Sequence, residues 1–216
     1  IRTFAQSDVD QLGAFASIPV INALTDVDHP TQLLADWLTI RENFGTDIAG
    51  RKFVYLGDGN NMSHAWLIMG AIMGAHVVAA TPSGKWAPDP VVVAVAKNIA
   101  ANSGGKVEVT NDPEAAAKDA SVLYTDVWMS MGDSESDRKE KVQALSPFAV
   151  TEHLMKMASK DSLFMHCLPA HRGEEVEANV IDGPRSVIWR EAYHRRTTIQ
   201  SILYHLVRGD LKGYTH

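Results

Sequence analysis

The sequence predicts an α/β fold, a doubly wound parallel sheet flanked by helices. Three observations lead there. Short apolar runs alternate with helical patterns, the helical stretches are long enough to act as crossovers, and the first run, Lys52–Leu56, reads Lys-Phe-Val-Tyr-Leu. Strands separated by such helices form βαβ units. A β-branched and aromatic run suits a strand buried on both faces.

The expected strands are Lys52–Leu56, His76–Ala80, Lys106–Thr110, Ser121–Thr125, Leu163–His166 and Ser186–Trp189. The expected helices are Ser7–Ala16, Thr31–Phe44, Asn61–Met73, Pro90–Ser103, Pro113–Lys118, Thr151–Ala158 and Glu191–Val207. Asn111 and Asp112 precede Pro113, a cap followed by Pro in the first turn. Thr81–Pro90 carries Pro82, Gly84, Pro88 and Pro90 and reads as a loop. Gly132–Lys141, rich in Asp, Glu, Ser and Lys, reads as a mobile, solvated loop. Residues 45–190 form one doubly wound unit, and residues 1–44 carry too little apolar surface to fold separately. The last helix is apolar at Ile199, Ile202, Leu203 and Leu206, so it packs on the sheet or returns to the N-terminal region.

The chain has 216 residues, 45% hydrophobic and 21% charged, which fits a globular protein and not a disordered one. Its net charge of −6, from 20 basic and 26 acidic residues, argues against general nucleic-acid binding. The one cysteine, Cys167, excludes an internal disulfide, disfavours a Cys-based zinc site, and fits a reducing compartment. No apolar run approaches the roughly 20 residues that span a bilayer. No secretory signal is visible at Ile1, and the chain does not begin with Met.

Ligands of open α/β sheets bind outside the carboxyl ends of the strands, and the distinctive motifs fall there. Gly57-Asp-Gly-Asn-Asn61 follows a strand and opens a helix, a turn whose N–H groups suit an anion. A dinucleotide site would want a third glycine where Met62 stands, which disfavours an NAD-dependent oxidoreductase. Asp126-Val-Trp-Met-Ser-Met-Gly132 places Asp126 and Ser130 where they can accept from an ammonium group. His166-Cys-Leu-Pro169 puts a thiol beside a His at another strand end. His29-Pro-Thr-Gln32 starts a helix with two side chains able to hold a polarised carbonyl or amide. Arg195 and Arg196, in the last helix, suit a phosphate or carboxylate. His194, His205 and His216 do not make a convincing metal set.

In this order the motifs resemble the ornithine carbamoyltransferases, within the aspartate/ornithine transcarbamoylase family, over nearly the whole chain. Ile18-Pro-Val-Ile-Asn-Ala-Leu24 and Ala80-Thr-Pro82 also look like that family. The resemblance implies a Rossmann-like ornithine-binding domain over 45–190. Residues 1–44 would be a remnant of the carbamoyl phosphate-binding domain with a linker helix, and 191–216 a C-terminal helix returning toward it. The family's N-terminal Ser-Thr-Arg-Thr phosphate loop is absent from this sequence and is expected in a missing N-terminal part. The resemblance implies transfer of a carbamoyl group from carbamoyl phosphate to the side-chain amine of L-ornithine, giving L-citrulline and phosphate, in arginine biosynthesis or the urea cycle.

By resemblance, Arg2, His29, Gln32, Cys167, Leu168 and Arg195 bind carbamoyl phosphate, with Cys167, His29 and Arg195 catalytic. Asn61, Asp126, Ser130 and Met131 bind ornithine. The reaction needs no metal or redox cofactor. It needs an uncharged amine, and near pH 7 deprotonating an amine like that of Lys costs roughly 4–5 kcal/mol. A carboxylate beside that amine would hinder attack, so Asp126 is assigned to the α-ammonium. Cys167 is a positioning group and candidate proton acceptor, not a covalent nucleophile. Ser-Met-Gly favours an amino-acid acceptor over putrescine. The complete protein is expected to be a homotrimer, cytoplasmic or in the mitochondrial matrix if eukaryotic, with no nucleic-acid or membrane partner. The alternatives are a non-catalytic ornithine-binding unit and a related transcarbamoylase with another amine acceptor.

Overall fold

The computed structural model describes residues 1–129 and 134–209. Five strands, β1 (Lys52–Leu56), β2 (His76–Ala80), β3 (Lys106–Thr110), β4 (Val122–Thr125) and β5 (Leu163–His166), form one sheet in the order β3-β2-β1-β4-β5. Every pairing is parallel. The order reverses at β1, so the crevice between β1 and β4 is the topological switch point.

Side chains alternate between the two faces. Phe53, Tyr55, Val77, Val122, Tyr124 and Met165 face one core, with Trp37 and Ile40 of α2 (Pro30–Phe44), Trp66 and Leu67 of α3 (Asn61–Ile72) and Ala96 of α4 (Pro90–Ser103). Val54, Leu56, Val78, Leu123 and Phe164 face the other, covered by α5 (Pro113–Ala117), α7 (Glu152–Met157) and α8 (Ala178–Ile181). The period of two within each strand puts apolar groups into both layers.

Before the sheet, α1 (Gln6–Phe15) is followed by a return segment. Thr3 N–H donates to Leu24 O and Ala23 N–H to Ile1 O, and an isolated bridge joins Arg2 to Leu24. The last helix, α9 (Ile188–Arg208), packs along α2, and the Arg190 guanidinium reaches both carboxylate oxygens of Glu42. The helix thus lies along α2 and also touches β5 of the sheet.

Two expectations are corrected. Ser186–Trp189 is not a strand. Ser186 makes one isolated bridge to Phe164, and α9 then starts at Ile188. Arg190 and Glu191 N–H already donate to Val187 O, so the local carbonyl is used by a helix turn and not a ladder. The acidic and basic stretch after Gly132 is not a solvated loop where it is described. It forms a short turn and α6 (Arg138–Leu145), pinned by two residues one helical turn apart, Lys141 and Leu145, both fully buried.

Candidate functional site

The carboxyl ends of β1, β4 and β5 gather most of the residues singled out in the sequence. After β1, the Gly57–Asn61 turn is tied down largely from within the protein. Asn60 Oδ1 accepts from Met62 N–H at 2.9 Å and Ser63 N–H at 3.2 Å, capping α3. Gly57 and Gly59 N–H donate to Ala80 O and Trp86 O. Both turn glycines and the first N–H groups of α3 are thus used by the protein's own acceptors. The turn instead aims side chains: Asn60 Nδ2 donates to Asp126 Oδ2 at 3.0 Å, and Asn61 Nδ2 to Thr25 O at 2.8 Å. It is thus Asn60, not Asn61, that touches Asp126, while Asn61 ties the turn to the segment leading into α2.

At the end of β4, Asp126 is nearly buried. Its Oδ1 accepts from Val127 N–H at 2.8 Å and from the Cys167 thiol at 2.9 Å. Burial first, and then the Asp126 carboxylate, push the Cys167 thiol well above the usual thiol range. The thiol is a donor here, and this disfavours the proton-acceptor role considered for it. Ser130 and Met131 lie outside the described residues. After β5, Leu168 holds φ +58°, a conformation a bulky residue rarely adopts. Its N–H donates to His166 Nδ1 at 2.9 Å, which turns the chain away from the strand.

A second group lies at the start of α2. His29 and Gln32 are buried, and Arg195 of α9 donates to Gln32 Oε1 through Nη1. Arg196 points elsewhere, with its guanidinium 5.0 Å from the Tyr193 ring. Burial, and then the positive charges of Arg195 and Arg2, push His29 down to about 3. An imidazole held neutral beside two guanidinium groups marks a pocket poised for an anion. The structure thus brings Arg2, His29, Gln32 and Arg195 together, and puts Cys167 with Asp126 at the carboxyl end of the sheet, within electrostatic reach of Glu191 and Asp36.

The His29 shift has a testable sign. The unfolded chain takes up a proton near the ordinary His value, the folded chain only near pH 3, so this residue lowers stability as pH falls from about 6.5 to about 3. By NMR titration the His29 ring is expected to stay neutral down to about pH 3, and its pKa to rise when inorganic phosphate is added. A ring titrating at its ordinary value would contradict the cluster.

Two buried carboxylic acids, Asp36 and Glu191, were not anticipated. They hold the far side of Gln32: its Nε2 donates to Asp36 Oδ1 at 2.7 Å and Glu191 Oε1 at 3.0 Å. Each lies four residues from an expected site residue on the same helix face, Gln32 to Asp36 and Glu191 to Arg195, and that spacing was the available signal.

Comparison with known proteins agrees with this geometry. Residues 49–206 match the Asp/Orn binding domain of aspartate/ornithine carbamoyltransferase, and residues 1–42 match its carbamoyl-P binding domain. The chain is 50% identical to the ornithine carbamoyltransferase of Pyrococcus horikoshii over 213 residues, 99% of this chain and 66% of that protein. It is 49% identical to the anabolic ornithine carbamoyltransferase of Pyrococcus furiosus over 98% of this chain and 66% of that one. A solved structure of ornithine carbamoyltransferase from Pyrococcus furiosus superposes with a TM-score of 0.91 at 49% identity, covering 98% of this chain and 66% of the other. The one from Gloeobacter violaceus gives 0.87 at 45%, covering 95% and 68%. The chain thus spans 66% of the length of the curated relatives it matches. A five-stranded parallel sheet with these side chains at its switch point, together with matches across both domains, places the chain in the aspartate/ornithine carbamoyltransferase family.

Proposed function

We propose that the full-length protein transfers the carbamoyl group of carbamoyl phosphate to the side-chain amine of L-ornithine, giving L-citrulline and phosphate. The observation that carries this reading is the adjacency of two unlike groups: a cationic cluster around a neutral His29, and Asp126 with Asn60 and Cys167 beside it. The first suits an acyl phosphate that carries a carbamoyl group. The second suits an ammonium group held apart from the reacting amine.

In this reading Arg2 and Arg195 hold phosphate oxygens, and His29 donates to the carbamoyl oxygen as negative charge develops there. Gln32 holds the carbamoyl amide, and Leu168 lines the same end of the site. Asp126, with Asn61, Ser130 and Met131, holds the amino-acid end of ornithine. The neutral amine attacks the carbonyl carbon. A C–N bond forms and the C–O bond to phosphate breaks. The released phosphate, itself a base, takes the proton from nitrogen, so Cys167 need not. No step calls for a metal or redox cofactor. Residues 1–44 then belong to the carbamoyl phosphate side, 45–190 to the ornithine side, and 191–216 returns to the first. A homotrimer and a place in arginine biosynthesis belong to the same reading. No helix among the described residues is long and apolar enough to cross a membrane.

The test is direct: full-length protein with both substrates is expected to form citrulline and phosphate in equal amounts. Ornithine binding without any citrulline would leave the chain a binding unit and overturn the proposal. Turnover of putrescine in preference to ornithine would replace the acceptor.

A further inference from the structure

Asp36 and Glu191 are both fully buried and in contact with each other. Between them they bridge three elements: Gln32 of α2 donates to both, and Glu191 Oε2 accepts His166 N–H at the end of β5 at 3.0 Å. Arg195 of α9 lies close enough to act on both electrostatically. Tyr124 of β4 faces Asp36, and its hydroxyl acts on that carboxyl as a donor, at looser geometry than the bonds from Gln32. Cys167 also feels both carboxyls, and His29 feels Arg195. Two ionised carboxylates here would repel each other in a dry site with Arg195 as their neighbouring cation. Burial pushes both above the usual carboxylate range. One proton between them removes the repulsion.

The consequence falls on Gln32. Both hydrogens of its Nε2 are taken by carboxyl oxygens, and its Oε1 receives Arg195. A flipped amide would set oxygen against two acceptors and nitrogen against a guanidinium donor. We propose that Asp36 and Glu191 share one proton as a positioning pair that locks the Gln32 amide with its oxygen toward Arg195 and the substrate. The site then presents an acceptor to the carbamoyl NH2 group. This inference rests on the carbamoyl-transfer reading.

The experiment has an arm that does not need activity. In full-length protein at pH 7, an infrared difference spectrum between wild type and Glu191→Gln is expected to show a protonated carboxyl band. Its absence overturns the shared proton whether or not citrulline forms. In the kinetic arm, Glu191→Ala is expected to raise KM for carbamoyl phosphate about tenfold, the worth of one hydrogen bond to a charged group, while KM for ornithine changes little. Glu191→Gln can donate to Asp36 as a protonated carboxyl does, and is expected to recover most of that loss. It should also lack the alkaline fall in kcat/KM for carbamoyl phosphate that wild type shows when the pair loses its proton. Equal impairment of the Gln and Ala variants overturns the proposal. A wild-type protein that shows the band but makes no citrulline would sink the functional reading alone.

Discussion

Asp58→Ala is expected to lower the unfolding free energy by about 3–5 kcal/mol, the cost of breaking a buried ion pair from one side. The Asp58 carboxylate sits 2.6 Å from the Lys141 ammonium, with both side chains at least nine-tenths buried. The Trp86 ring lies 5.1 Å from the same ammonium, and Lys85 on the outer edge reaches Asp137 and Glu140. Removing the carboxylate leaves the lysine in a dry site without its nearest counter-charge. Asp58 also sits in the turn that sets Asn60 and Asn61, so the change loosens α6 and the turn together. The measurement is the denaturant midpoint at constant slope. Adding Lys141→Met to Asp58→Ala should restore part of the loss, because an apolar side chain of similar length no longer needs a partner. An Asp58→Ala protein as stable as wild type would show that this pair does not hold α6 down.

Cys167→Ala is expected to lower turnover by about 10²-fold, the scale of a misplaced reacting group, while ornithine affinity changes only a few-fold. Asp126 keeps two donors when the thiol is gone, Asn60 Nδ2 and Val127 N–H, so its carboxylate stays in place to hold an ammonium. What is lost is the group between Asp126 and the Gln32–Glu191 side, where the two substrates would meet. Calorimetry with ornithine and initial rates for citrulline separate the two effects. A variant with its rate intact and ornithine binding abolished would instead make Cys167 part of the ornithine pocket. Because the thiol is pushed above its ordinary range, the rate is not expected to follow ionisation of Cys167 near pH 7.

Most strands were legible as short apolar runs bounded by turn residues, as a strand buried on both faces must be, while the edge strand β3, Lys-Val-Glu-Val-Thr, showed as alternation instead. The run Ser186–Trp189 shows the limit of that signal. Val187 and Ile188 look like strand residues, yet Ile188 is buried and Trp189 is largely exposed in the first turn of a helix. Periodicity over four residues cannot separate the two forms. Lys141 shows the opposite failure. Its neighbours are charged and its stretch reads as solvated, but the Asp58 carboxylate arrives from a turn more than eighty residues earlier. Among the site residues, the resemblance pointed to Asn61 for ornithine, although Asn60 follows the same strand. The fold gives one to Asp126 and the other to Thr25.

The doubly wound sheet, the motifs at its strand ends and the family resemblance are legible in the residues alone, because they depend on local runs and on residue types in a fixed order. Only the tertiary structure decided that Arg195 and not Arg196 meets Gln32, that the last helix lies along α2, and that Asp36 and Glu191 stand together behind the site. Those contacts join residues up to 163 positions apart. Burial and charge at such contacts depend on what the fold brings to each side chain, and no local pattern records that.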